Sequence, residues 1–115
     1  MFDFEKLDIY LVMRELNNRV FTFLGEDEKI DQYIKDQWKK ASKGSVLNLV
    51  EGTGKMTNAD KKDLLTLSRG NIFQCVAILQ QVFDLNLIKA EHYEELYGKY
   101  EQASKMLLGM YRSYS

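Results

Sequence analysis

The sequence predicts an all-α protein with one domain spanning residues 1–115, folded as an antiparallel up-down-up-down four-helix bundle. Three observations carry this expectation. Apolar residues recur at spacings of three and four in four successive blocks, and no block alternates with period two. The connections between blocks are short, which makes sequential helices antiparallel neighbours. Prolines number zero, where average usage of about 5% would supply about six. An interior proline would cost about 3 kcal/mol in any of these helices.

The first block runs from about Phe4 to Leu24, with Ile9, Met13, Leu16, Val20 and Leu24 on one stripe. Asp3 is the expected N-cap and Gly25 the expected stop. The second runs from about Glu28 to Glu51 on a stripe of Ile30, Ile34, Trp38, Ala41, Ser45 and Leu49. Asp27 is its expected cap, and Gly52 follows as a helix-terminating glycine. The third runs from about Ala59 to Asp84 on Leu65, Ser68, Ile72, Val76, Leu79 and Phe83. Thr57 and Asp60 form a weak capping box at its start. The fourth runs from about Lys89 to Tyr114 on Tyr93, Leu96, Tyr100, Ala103, Leu107, Met110 and Tyr114. Lys89 stands where Ser, Thr or Asp would cap, so this boundary is the least defined.

Length and composition exclude whole classes of function. The 115 residues are 45% hydrophobic and 29% charged, as in an ordinary globular domain. Sixteen basic and seventeen acidic residues leave a net charge of -1, which argues against a surface wholly devoted to nucleic acid or anionic membrane. A lone cysteine, Cys75, permits no internal disulfide, and a lone histidine, His92, removes metal sites that need two imidazoles. Charged residues interrupt the opening apolar positions, so no secretory signal is read there. The longest uncharged apolar segment, Asn71 to Phe83, is thirteen residues, short of the ~20 a bilayer span needs. The expectation is a cytoplasmic protein with no membrane contact.

No chemistry-bearing motif survives inspection. Glu51-Gly52-Thr53-Gly54-Lys55 resembles a phosphate loop only superficially. Leu49 and Met56 occupy positions where a glycine and a Ser or Thr are required, and a helix precedes instead of a strand. His92 lies in an acidic first helical turn with Lys89 where a di-iron motif needs glutamate, and is expected to be exposed. Cys75 sits beside the core stripe of the third block and reads as a buried, inert thiol. Five of seven tyrosines, Tyr93, Tyr97, Tyr100, Tyr111 and Tyr114, follow the spacing of the fourth block, as packing residues do. The sequence therefore predicts no catalytic residues, no metal ligands, no cofactor and no enzymatic activity.

Two surface patterns remain. Lys35, Lys39 and Lys43 repeat every four residues and form one ridge on the second helix, with Lys40 beside it and Lys55, Lys61 and Lys62 further along. A lysine ridge can track phosphates and supply salt-sensitive affinity for RNA or DNA. It can equally be a solvated face whose stems cover apolar surface. No arginine lies in the ridge, which speaks against bidentate reading. Phe4, Leu7 and Leu11 lie off the first stripe, and Phe73 and Ala77 lie off the third. Scattered apolar surface residues are ordinary, but aligned surplus on a helix points to a subunit interface.

Lys39-Lys40-Ala41 followed by Ser45-Val46-Leu47-Asn48-Leu49-Val50-Glu51-Gly52-Thr53-Gly54-Lys55 resembles the signature of the S23 family, the 23S rRNA intervening-sequence proteins. That family shows an Arg-Arg-Ala stretch and then Ser-Ile-Pro-x-Asn-Ile-Ala-Glu-Gly-x-Gly-Arg. Asn48, Glu51, Gly52 and Gly54 are its most specific matches, and Phe4 to Tyr10 resembles the family's usual start. Leu47 stands in place of the usual proline, and lysines replace the arginine pair. The third helix has no counterpart of the family's two glutamates in Asn71 to Val76, so any role of those acids does not transfer. The resemblance implies a bundle that assembles as a ring, typically a homopentamer, with no established catalytic residues. A related branch, the accessory proteins of diversity-generating retroelements, is similar in fold and works with a reverse transcriptase and nucleic acid. The leading expectation is thus a non-enzymatic homo-oligomer that contacts RNA or DNA through the lysine face. The alternative is a scaffold that presents its surface to a protein partner.

Overall fold

The computed structural model describes residues 1–114. A short 3-10 turn, Asp3–Lys6, leads into four helices: α1 (Asp8–Glu26), α2 (Gln32–Thr53), α3 (Asn58–Asp84) and α4 (Ala90–Ser113). Sequential helices pack on each other, and α1 closes the square against α4, so α1 and α3 lie diagonally opposite. The bundle measures 44 × 22 × 22 Å, with its long axis set by α3.

The stripes of α1 and α2 are buried as the periodicity predicts, and Ile30 seals the turn between them. On α3 the buried sector is shifted. Cys75 and Val82 are fully enclosed, whereas Val76 and Phe83 are half-buried at its edge. On α4 Leu96, Tyr100, Ala103 and Leu107 are enclosed, while Tyr93, Met110 and Tyr114 flank them.

The helix ends correct several expectations. Asp3 does not cap α1. It begins the 3-10 turn, which ends at Leu7 in extended conformation, and α1 starts at Asp8. Gly25 lies inside α1 and does not stop it. The Asp27 carboxylate accepts from the backbone N–H groups of Lys29 (2.7 Å) and Ile30 (2.9 Å), so it closes the inter-helix turn. The α2 cap is Asp31, which accepts from the Tyr33 N–H at 2.7 Å. Two aspartates compete for one role here, and the one adjacent to the helix takes it. Thr57 does cap α3, accepting from the Asp60 N–H at 3.1 Å, and Lys89 provides no side-chain cap for α4.

Glycine ends none of the four helices in the left-handed conformation, and Asn86 takes that role after α3 with φ 60. Its N–H donates to the Phe83 carbonyl (2.9 Å) and that of Leu87 to the Val82 carbonyl (3.0 Å), the pairing of a Schellman turn. Asparagine is among the few residues with a side chain that visit this region readily.

Candidate nucleic-acid and subunit interfaces

Two of the family-motif residues, Asn48 and Gly52, turn inward to α3, and their chemistry is that of close helix approach. Gly44, Asn48 and Gly52 recur every four residues on the α3 side of α2. A Cβ at Gly44 would lie 3.1 Å from the Asn71 side-chain nitrogen, and one at Gly52 would lie 3.2 Å from the Leu64 Cβ. The Asn48 and Asn71 side-chain amides hydrogen-bond to each other at 2.8 Å. The Ser68 hydroxyl donates to the Ser45 carbonyl at 2.7 Å within the buried seam. Gly52 is buried within α2 and does not terminate it. Gly54 is the C-cap, with φ -87, and its N–H donates to the Glu51 carbonyl at 3.1 Å. Glu51 is exposed and pairs with Lys55 at 3.5 Å.

The centre of the bundle holds a polar chain across three helices. The Trp38 indole N–H donates to the Tyr100 hydroxyl at 3.1 Å, and the Cys75 thiol neighbours the same hydroxyl. Burial pushes the Cys75 thiol up to about 12, with the Tyr100 hydroxyl partly offsetting it. Burial also raises the Tyr100 hydroxyl well above its usual range. The thiolate is the reactive form, so at pH 8 folded Cys75 is expected to resist a thiol-reactive chromogen and to label only on addition of denaturant. Prompt labelling of the folded chain would show that the inner face of α3 is open.

The lysines do not act as one cluster. Lys35 donates to the Asp27 carbonyl and so braces the α1–α2 turn. Lys61 donates to the Thr53 carbonyl at 2.9 Å and lies 5.6 Å from the Tyr114 ring centre. Lys62 lies 4.9 Å from the centre of the Tyr111 ring, and Lys39 lies 5.8 Å from that of Phe21. Lys40 and Lys43 are exposed on α2. Lys39, Lys40 and Lys43 make no ion pair among the described residues. Lys35 and Lys61 thus brace chain turns, a role that spacing alone does not reveal, while Lys55 pairs with Glu51.

The apolar surplus divides between opposite sides of the molecule. Phe4 is half-buried, edge-on to Tyr10 at 5.0 Å, and Leu7 packs partly against the core. Leu11 is half-exposed on the outer side of α1. Phe73 and Ala77 lie on the lip of a groove between α3 and α4, where the Arg69 guanidinium covers the Phe73 ring at 4.8 Å. The Arg69 Nε donates to the Ser104 hydroxyl (3.2 Å) and carbonyl (3.3 Å), which anchors the guanidinium on that lip.

His92 is half-buried, where exposure was expected, because Phe23 of α1 meets its ring edge-on at 5.1 Å. Nearby, Arg19 bridges Glu15 (3.2 Å) and Glu95. The hydrogen bond and charge of Arg19 hold the Glu95 carboxyl below its usual range. Among the described residues, no group of three His, Cys, Asp or Glu side chains is placed to hold a metal. No described helix is long and apolar enough to cross a membrane.

The fold defines a class: a small four-helix bundle in which Asn48 and Gly52 of the signature serve helix packing. The chain belongs to the 23S rRNA-intervening sequence protein family, whose model matches residues 5–109. A solved structure similar to it is that of a protein of unknown function from the S23 ribosomal protein family of Bacteroides thetaiotaomicron VPI-5482. The match has a TM-score of 0.82 and 17% identity, covering 90% of this chain and 97% of that one. At that identity the likeness speaks for the fold alone. No curated protein matches the chain.

Proposed function

We propose that this protein is a non-enzymatic, self-associating helical scaffold that contacts nucleic-acid phosphates through Lys39, Lys40 and Lys43 of α2. The observation that carries the reading is that these three ammonium groups share one stretch of α2 and have no carboxylate partner among the described residues. The nearby Asp36 carboxylate accepts from the Gln32 amide at 2.8 Å. Six acidic groups lie near the end where the α1–α2 and α3–α4 turns meet, Glu26, Asp27, Glu28 and Asp31 on one side and Glu91 and Glu94 on the other, and they outnumber Lys29 and Lys89 there. A polyanion is therefore favoured along the middle of α2 and disfavoured at that end. Lysines act here as point charges, which suits contact without sequence reading. A ring, pentameric on the family likeness, multiplies a weak patch into avidity. The non-enzymatic part rests on a buried, poorly ionised thiol and a histidine held by an aromatic ring.

The test is binding of purified protein to structured RNA and duplex DNA across a salt series. Affinity is expected to fall steeply with salt, and Lys39→Glu/Lys40→Glu/Lys43→Glu to weaken it by about tenfold or more with unchanged helix content. Unchanged binding by that variant would remove α2 from the reading. Absence of binding at low salt by the intact protein would overturn nucleic acid as the partner and direct the search to proteins.

A further inference from the structure

We infer that the leading segment around Phe2 and Phe4 docks into the α3–α4 groove of a second copy of this chain, in a head-to-tail contact. This deepens the self-association reading and rests on it. The segment is an ordered projection. The Phe2 N–H donates to the Glu5 carboxylate at 3.1 Å, the Phe2 and Phe4 rings stack at 5.9 Å, and Phe4 sits edge-on to Tyr10. Yet Phe2 remains 72% exposed. The turn packs on α1, and α1 lies diagonally across the bundle from α3.

The receiving surface has the matching chemistry. Between α3 and α4 an open depression of about 320 Å³ is lined by Leu65, Arg69, Phe73, Leu107, Leu108 and Tyr111. Phe73 is 54% exposed there. Lys62 stands over Tyr111, so with Arg69 the rim of this depression is basic. Glu101 and Lys105 both lie in the adjoining stretch of groove and offset each other there. The segment carries its aromatic rings beside the carboxylates of Asp3 and Glu5. Acidic-aromatic meets basic-apolar, the complementarity that orients an interface. Donor and receptor surfaces lie on different sides of one subunit. A single self-complementary patch therefore cannot bury both, whereas a heterologous contact repeated around a closed ring does.

The experiment measures mass in solution for the wild-type chain, for Phe2→Ser/Phe4→Ser and for Phe73→Glu, singly and mixed. Circular dichroism confirms helix content, and the first variant lies outside the four helices. Each variant alone is expected to run as a monomer. The equimolar mixture is expected to form a one-to-one dimer, because each variant retains the surface the other lacks. A wild-type oligomer whose mass neither variant changes would overturn the inference and leave self-association standing. A mixture that stays monomeric would likewise overturn it. A wild-type monomer would overturn both. If Phe73→Glu fails to fold, Arg69→Glu replaces it as the groove variant under the same outcomes.

Discussion

Trp38→Ala is expected to lower the unfolding free energy by about 3–5 kcal/mol, the range for deleting a buried aromatic. Trp38 is fully enclosed, and the Phe23 ring meets it at 6.0 Å between centres. Alanine leaves a void at the junction of α1, α2 and α4. It also takes the indole donor from the Tyr100 hydroxyl, and a buried polar group left without a partner costs about 1–3 kcal/mol. A domain of this size holds only about 5–15 kcal/mol in all, so the urea midpoint should fall by about 2 M at an ordinary denaturant slope. Trp38→Phe separates the two contributions. It keeps most of the ring volume and loses the N–H, so its cost should be clearly smaller. A Trp38→Ala midpoint near wild type would show that the centre of the bundle is not packed around this ring.

Gly52→Val is expected to destabilise by about 1–3 kcal/mol, the usual cost of forcing atoms into a packed contact, whereas Gly54→Ala should be neutral or slightly stabilising. The two glycines belong to one sequence motif and differ in environment. At Gly52 even a first added carbon would meet the Leu64 Cβ at 3.2 Å and the Lys61 carbonyl at 3.5 Å. Neither is the far end of a flexible side chain, so α2 and α3 must separate to admit the rest of valine. At Gly54 the backbone is at φ -87, which any residue adopts, and an added carbon would make only an ordinary contact at 3.5 Å with the Glu51 carbonyl. Alanine there removes freedom from the unfolded chain, worth about 0.4–1 kcal/mol. Thermal or urea unfolding of both variants checks the pair. Equal effects would mean that the motif does not mark the α2–α3 approach.

The comparison also shows how a motif can be specific without being chemical. Gly44, Asn48 and Gly52 are spaced to face α3, where Asn71 answers the first two and Leu64 the third. The spacing was visible in the chain, but the partner was not. Asn71 lies 23 residues beyond Asn48, in a stretch whose notable feature was the absence of the family's glutamates. The lysines show the converse. Their four-residue ridge is plain in the sequence, yet Lys35 turns to the Asp27 carbonyl and Lys61 to the Thr53 carbonyl. A flexible cationic stem takes whichever unsatisfied carbonyl lies nearest, and that is set by where chain turns arrive. The candidate surface contracts accordingly to Lys39, Lys40 and Lys43.

By itself the sequence determined the fold class, the four helices and most of the core stripe, including every buried position predicted on α1 and the packing of Cys75. These follow from periodicity, which the chain carries locally and which burial of one helix face rewards. It also carried the family. Only the tertiary structure decided that Asp31 takes the cap expected of Asp27, and that Gly52 is a packing contact. It alone placed Phe4, in the turn packed on α1, and Phe73 of α3 on different sides of the bundle. Each of those outcomes depends on which groups from distant parts of the chain meet. Local spacing does not encode such meetings until four helices are brought together in space.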